Sequence, residues 1–262
     1  MRILVTFALE NEFALWRTVR TFHRGKWGRA EAFFADIEGA TVGVVLTGAG
    51  LRQAARMALE IGRGDDEPAS FCISSGFAGA LRAESAIGEI LVARSVYAEY
   101  AQPDSCTHVP CSGALLSFAS ECGATVVDRI YSVDRAIVTA EEKRALAGVA
   151  DAVDMESFEI LLQAGGWGSP AVAIRAVSDV AGEDLPLDMN RVFTEDGKVS
   201  IPRVLGQVAL HPQSVPGLVR LGKNSKRAAE SLARFLDAYV VSVSRQMNRL
   251  ERGDAGLSVR AS

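Results

Sequence analysis

The stretch Ala171–Val177, AVAIRAV, limits the fold more than any other part of the chain, because Arg175 is its one polar side chain. A strand so poor in polar residues suits a sheet that is covered on both faces. It runs directly into Ser178-Asp179, so an acid stands where the apolar run stops. An arginine inside such a strand needs a buried partner, because an unanswered guanidinium in an apolar core is costly.

The rest of the chain reads as the remainder of such a sheet. Arg2–Ala8 is an apolar strand, and Asn11–Phe22 carries Phe13, Trp16 and Val19 at helical spacing. Gly25–Gly28 reads as a turn. Ala30–Ile37 and Thr41–Leu46 read as the two strands of a hairpin across Glu38-Gly39. Thr47-Gly48-Ala49-Gly50 then interrupts, and Leu51–Ile61 follows as a helix with Leu51, Ala54, Ala58 and Ile61 on its buried side. Ala69–Ser74 is a buried strand that Ser75-Gly76-Phe77-Ala78-Gly79 is expected to break. Gly88–Tyr97 and Thr125–Ser132 are strands, Gln102–Ser112 is a loop, and Gly113–Cys122 and Ala140–Ala147 are helices. Ala152–Glu156 is a short strand leading into the helix Ser157–Ala164.

Strands thus alternate with helices, which gives the α/β class: a single domain with a mixed central β-sheet flanked by helices. Leu185–Gly222 stands apart. It contains Pro186, Pro202, Pro212 and Pro216 and two short apolar pieces, Val204–Leu210 and Leu218–Leu221. Ser225–Arg249 closes the chain as a longer helix. The domain is therefore assigned to residues 1–249 with an inserted segment at 185–222, and 250–262 to a mobile tail.

Composition narrows the function. A net charge of −4 and a pI near 5.5 oppose a nucleic-acid partner. The four cysteines form no C-x-x-C pair, which fits a reduced, cytoplasmic protein. His23, His108 and His211 are far apart, so no metal site is expected. No GxGxxG occurs, so no dinucleotide or other cofactor is expected either. The apolar run at the N-terminus ends in Glu10 and Glu12. It is too short for a signal peptide or a transmembrane segment.

In open α/β sheets ligands collect at the carboxyl ends of the strands. The exceptional residues gather at those ends: Glu10-Asn11-Glu12, the glycines at 48, 50, 76 and 79, Asp154 and Glu156, and Arg175 with Ser178-Asp179. Each has a plain structural reading of its own. Glu10 and Glu12 suit a helix start, Ser178-Asp179 suits an N-cap, Glu156 suits a solvated helix face, and the glycines suit turns.

The order and spacing of these pieces resemble the purine nucleoside phosphorylase/uridine phosphorylase superfamily. The nearest branch resembles the 5′-methylthioadenosine/S-adenosylhomocysteine nucleosidases. The matching pieces are Ala8-Leu9-Glu10-Asn11-Glu12, Thr47-Gly48-Ala49-Gly50, Ser75-Gly76-Phe77-Ala78-Gly79-Ala80, Val153-Asp154-Met155-Glu156 and Arg175-Ala176-Val177-Ser178-Asp179. The resemblance implies a three-layer nucleoside phosphorylase-like sandwich, a nucleoside substrate, no cofactor and a homo-oligomer. It implies cleavage of the bond between adenine and ribose. Asp179, oriented by Ser178, would donate a proton to the purine N7, so it must be shielded enough to carry one. Glu12 would activate the water, and Arg175 would help order that water and the acids. Glu156 would accept from the ribose hydroxyls, and Met155 would pack on the sugar. The main chain at Ile137 would read the adenine edge, and Phe77, Ala78 and Gly79 would line the substrate.

Phosphorylases of this superfamily need charged donors for phosphate. Their Gly-Asp-Pro-x-Arg motif is absent here, and Ser74 and Phe77 stand where later donors would be, so water is favoured as the nucleophile. Phe77 and Ala136 also depart from the nucleosidases, which carry Ser and an aromatic ring there. The 185–222 segment resembles an extension of the hopanoid-associated members, which remove adenine from an adenosyl lipid. A phosphorylase-type enzyme, an adenosylhopane-type enzyme and a non-catalytic nucleoside-binding protein are the alternatives.

Overall fold

Strand β1 (Arg2–Phe7) shows how the sequence builds the layers. Its residues alternate between the two faces of the sheet. Ile3, Val5 and Phe7 enter one apolar cluster with Phe13 and Trp16, and Leu4 enters a second on the other side. Each of these side chains is fully buried or nearly so, a gain of roughly 1.5–3 kcal/mol apiece against exposure.

The computed structural model describes residues 1–64, 67–98 and 108–251. After β1 come α1 (Glu10–Phe13), α2 (Trp16–Val19), β2 (His23–Trp27), β3 (Ala30–Ile37), β4 (Ala40–Leu46) and α3 (Leu51–Gly62). Next are β5 (Phe71–Ala80), β6 (Ile90–Tyr97), β7 (His108–Pro110), α4 (Gly113–Glu121), β8 (Thr125–Ser132) and α5 (Ala140–Leu146). The chain continues through β9 (Ala152–Asp154), α6 (Ser157–Gly166), β10 (Ala171–Asp179), α7 (Met189–Val192), α8 (Ile201–Leu210) and α9 (Val215–Glu251).

The sheet is mixed, as expected. β1 lies between β4 and β5, parallel to both, and β2, β3 and β4 extend one edge antiparallel. On the other side β5, β10, β6, β8 and β9 pair in a closed circuit. β10 alternates as β1 does. Val172, Ile174 and Ala176 face the cluster that holds Leu232, Leu236 and Tyr239 of α9. Ala171, Ala173 and Val177 face the cluster that holds Ala54 and Ala58 of α3 and Phe158 and Leu161 of α6. Three layers result. Among the described residues no helix is long and apolar enough to cross a membrane.

Four local expectations are corrected. Asn11–Phe22 is not one helix but two short ones, and Arg20 is already extended where it pairs with Asp237 of α9 at 2.7 Å. Gly25 lies in β2 rather than in a turn, paired with Ala32 of β3, and it is glycine there because a Cβ would fall 2.8 Å from Phe34 Cε2. Ser75–Gly79 does not break β5. The strand runs on to Ala80, held by β10 on one side and by β9 at its end. In the 185–222 segment the chain is largely helical, and α9 begins at Val215 rather than Ser225, with Pro216 in its first turn, where the missing N–H costs nothing. Much of the expected loop Gln102–Ser112 and all of the tail beyond Glu251 lie outside the described residues.

Candidate active site

Glu12 comes from the turn after β1. Its Oε2 accepts the Leu9 N–H at 2.9 Å, half of a capping box, so the helix-start reading of this acid holds. Its Oε1 accepts the Phe77 N–H of β5, also at 2.9 Å. That second bond carries the carboxylate away from solvent and into the sheet crevice. Burial pushes its pKa above the usual carboxylate range, against the pull of the Leu9 and Phe77 N–H groups and of the Arg175 guanidinium.

Glu156 stands at the N-terminus of α6, buried rather than solvated. Its Oε1 accepts the Gly50 N–H at 2.9 Å, which gives the Thr47–Gly50 turn a specific role. Burial pushes this carboxyl up to about 8, with Arg175 opposing and the nearby Asp154 and Glu12 adding to the rise.

Arg175 is fully buried and does not line the cavity. Its Nε donates to Asp154 Oδ2 at 2.7 Å, and its Nη2 donates to Ser157 Oγ at 2.8 Å and Ser74 Oγ at 3.1 Å. The same Nη2 lies 3.8 Å from Glu156 Oε2. The buried partner that the strand required is therefore Asp154, which Ser132 and the Ser157 N–H hold in turn. The guanidinium lies behind the cavity wall, against Asp154 and within 3.8 Å of Glu156.

Gly76 sits between Glu12 and Arg175. Its φ is +146°, and a Cβ there would come within 2.9 Å of Glu12 Oε1 and 3.1 Å of Arg175 Nη1. Gly79 makes the same kind of room for the opposite acid, since its Cβ would fall 2.9 Å from Asp179 Oδ2. These two glycines are close-approach positions within β5.

Asp179 reaches the site through a bulge. The register of β10 against β5 shifts between Val177 and Asp179, and a bulge of this kind re-aims side chains. Ser178 Oγ donates to Asp179 Oδ1 at 2.8 Å, as expected. No helix follows, so the N-cap reading fails. The other oxygen, Oδ2, is 2.6 Å from Lys143 Nζ of α5. Lys143 is fully buried, and its ammonium also donates to Val180 O at 2.8 Å and Glu183 O at 3.1 Å. Asp179 is thus shielded, but with a cation against it rather than alone.

Glu12, Glu156 and Asp179 line one cavity, together with Met155, Ile137, Phe77, Ala78, Gly79 and Ser178. Every site residue expected from sequence is in its wall except Arg175. Leu185, Met189, Phe193, Val199 and Leu221 of the 185–222 segment also line it. The turn of that segment docks on the glycine loop, Ala49 N–H to Gly197 O at 2.9 Å and Gln53 Nε2 to Glu195 O at 2.6 Å. Asn190 clasps the main chain beside Ile137, giving Nδ2 to Ala136 O at 3.0 Å and taking the Ala136 N–H at 2.7 Å.

Sequence reasoning missed Lys143 and Asn190. It also left Asp154 without a role, although the motif that contains it was in view. Lys143 lies in AEEKRAL, which reads as a solvated helix face and carries no signal of burial.

A family model described as the phosphorylase superfamily matches residues 2–205. No curated protein matches by sequence. Solved structures with a similar fold include a futalosine hydrolase mutant of Helicobacter pylori, with 17% identity, a TM-score of 0.69, and coverage of 92% of this chain and 98% of that one. A 5′-methylthioadenosine/S-adenosylhomocysteine nucleosidase from Neisseria meningitidis, in complex with methylthio-immucillin-A, has 23% identity, a TM-score of 0.67, and coverage of 92% and 99%. An S-adenosylhomocysteine nucleosidase from Streptococcus pyogenes, in complex with 5-methylthiotubericidin, has 16% identity, a TM-score of 0.68, and coverage of 93% and 97%.

Proposed function

Because the chain belongs to the phosphorylase superfamily, we propose that it is a nucleosidase that hydrolyses the N-glycosidic bond of an adenosyl compound, releasing adenine and a ribosyl product. The observation that carries the reading is the convergence of Glu12, Glu156 and Asp179 on one cavity from three separate strand ends. A binding module needs neither a buried acid nor a buried base.

Each residue takes the part its surroundings allow. Glu12 accepts the proton of the attacking water, and its raised pKa brings it nearer the pH at which a base works best. Glu156 accepts from the ribose hydroxyls, and Met155 packs on the sugar. Asp179 faces N7, its carboxyl turned by Ser178. Lys143 and Asp179 act as one unit, in which the ammonium holds the carboxyl in place and supplies the proton that passes through it to the purine, leaving a neutral Lys143 amine that solvent re-protonates. Ile137 offers its main chain to the adenine edge, and Asn190 fixes that main chain from the neighbouring residue.

Water is favoured over phosphate on electrostatic grounds. The cavity wall contains Glu12, Asp154, Glu156 and Asp179 and, among the described residues, no Lys or Arg. Arg175 lies behind the wall, its Nε and Nη2 bound to Asp154, Ser74 and Ser157 and its buried Nη1 without a hydrogen-bond partner among the described residues. A phosphate dianion would meet acidic groups and none of the charged donors it needs. The 185–222 segment favours an apolar group on the 5′ carbon, since Leu185, Met189, Phe193, Val199 and Leu221 are its contribution to the wall.

The test is adenine release from 5′-methylthioadenosine and longer 5′-alkylthio analogues, with and without phosphate. Release without phosphate, lost in Asp179→Asn and Glu12→Gln, is the expected result. A strict phosphate requirement would defeat the hydrolase. Tight nucleoside binding with no release from any analogue would establish a binding protein instead.

A further inference from the structure

Helix α8, IPRVLGQVAL, is rich in apolar residues, yet none of its ten residues is buried. Ile201 and Leu205, one turn apart, are 63% and 62% exposed, and Leu210 at its end is 77% exposed. Val215 and Val219 at the start of α9 continue the same exposed stretch. Val199, just before α8, is 41% exposed as well, and the other large apolar side chains exposed among the described residues stand singly: Val19 on α2, Leu59 on α3, Val149 after α5 and Leu162 on α6. Isolated exposed apolar residues need no explanation, but a run of them marks an interaction surface.

The orientation of α8 is fixed from behind. Gln207 exchanges two hydrogen bonds with the Asp188 main chain, at 3.1 and 3.0 Å. Val204 lines a groove with Leu187, Val192 and Leu218. The outward residues therefore cannot turn inward by a simple roll of the helix.

Charge identifies the occupant. From Gly197 to Ala229 the chain has no Asp or Glu, while Lys198, Arg203, Arg220, Lys223, Lys226 and Arg227 make six cations, in a protein whose net charge is −4. Flanking acids answer two of them, Glu183 opposite Arg220 at 3.3 Å and Glu230 opposite Lys226 at 4.0 Å. An apolar helix face followed in the chain by a basic stretch is the pattern of a segment that lies in a lipid headgroup layer. A second copy related by a twofold axis would set this cationic stretch against itself, which is unfavourable. We propose that α8 and the first turns of α9 form a docking face for the surface of a bilayer that carries anionic lipid. The docking does not depend on the reaction assigned above. It would bring the segment that closes the cavity, through Val199 and Met189, to the membrane surface.

The experiment is flotation of the full-length protein with vesicles, either of pure phosphatidylcholine or containing about 30 mol% phosphatidylglycerol. Binding is expected to the anionic vesicles, weaker by about tenfold or more on the neutral ones, and reduced by salt. The triple variant Ile201→Asp/Leu205→Asp/Leu210→Asp should lose vesicle binding. Its melting temperature and its rate of adenine release from 5′-methylthioadenosine should stay those of the parent, since none of the three side chains packs inward or lines the cavity. Leu59→Asp, on a different face, should bind vesicles like the parent. Three results would overturn the proposal: no binding of the parent to anionic vesicles, equal binding by the triple variant, or equal loss in Leu59→Asp. If the parent sediments as an oligomer that the triple variant splits, without vesicle binding, the face belongs to a second copy. Failure of adenine release alone would count against the reaction and leave the docking result intact.

Discussion

Replacing Lys143 with methionine tests whether the buried ammonium and Asp179 act together. The side chain of Lys143 is 0% exposed and that of Asp179 17%, with 2.6 Å between Nζ and Oδ2. Methionine fills similar volume but removes the cation, so Asp179, Val180 O and Glu183 O all lose their donor. Breaking a buried pair from one side costs about 3–5 kcal/mol, and the partial exposure of Asp179 moves this toward the lower figure, about 3 kcal/mol. At about 2 cal/mol/K per residue of unfolding entropy, such a loss lowers the melting temperature of a chain this long by roughly 5 °C. Asp179→Asn alone strands the ammonium beside a neutral amide and should cost a comparable amount. In the double variant neither charge remains, so the two losses must not add. The assay is a double-mutant cycle read twice, by thermal melting and by kcat for adenine release. A coupling of about 1 kcal/mol or more is expected in melting, and Lys143→Met should slow Asp179→Asn no further. Additive losses in both readings, within about 0.5 kcal/mol, would refute the idea that the two residues form one unit.

Other substitutions probe the remaining contacts. Gly76→Ala places a Cβ within 2.9 Å of Glu12 Oε1 at a φ of +146°, so kcat should fall at least about tenfold and the melting temperature should drop as well. Asn190→Ala frees the main chain at Ala136 and should raise KM with little change in kcat, as for a group that contributes uniform binding. Glu156→Gln should abolish most activity while stabilising the protein in a pH-dependent way. The folded pKa of Glu156, about 8, lies above that of the unfolded chain, so its contribution to stability is intact below about pH 4.5 and is lost as pH rises toward 8. The parent should therefore lose on the order of several kcal/mol relative to Glu156→Gln between pH 5 and 8.5, measured by chemical denaturation, and a constant difference across that range would count against a buried protonated carboxyl.

The layers of the fold were legible because burial imposes a period. β1 and β10 alternate between two apolar clusters, and α3 and α9 carry their apolar residues at helical intervals, so the sequence alone shows which faces are covered. The acids were legible because strand ends are exceptional places. Lys143 was not, because a helix of this composition looks solvated until another segment lies over it. Here the turn after β10 does so, and its carbonyls at Val180 and Glu183 decide the burial. Asn190 was hidden for a related reason, since a short helix between irregular stretches gives no sign of which main chain it will clasp.

The error at Ser75–Gly79 shows how a site differs from a turn. Glycine weakens a strand and, read locally, signals its end. In this protein β5 does not depend on its own side chains at that point, because β10 pairs with it through Ala78 and beyond and β9 pairs with its last two residues. Backbone pairing, with β10 at position 76 and with both β10 and β9 at position 79, frees these positions from any packing duty. The space that two missing side chains leave is taken by the carboxyls of Glu12 and Asp179, and the N–H of Phe77 between them holds Glu12 in place. The small residues that argue against a strand in isolation are therefore what lets two acids approach the same strand from different parts of the chain. A side chain at either position would push an acid aside before it disturbed the sheet.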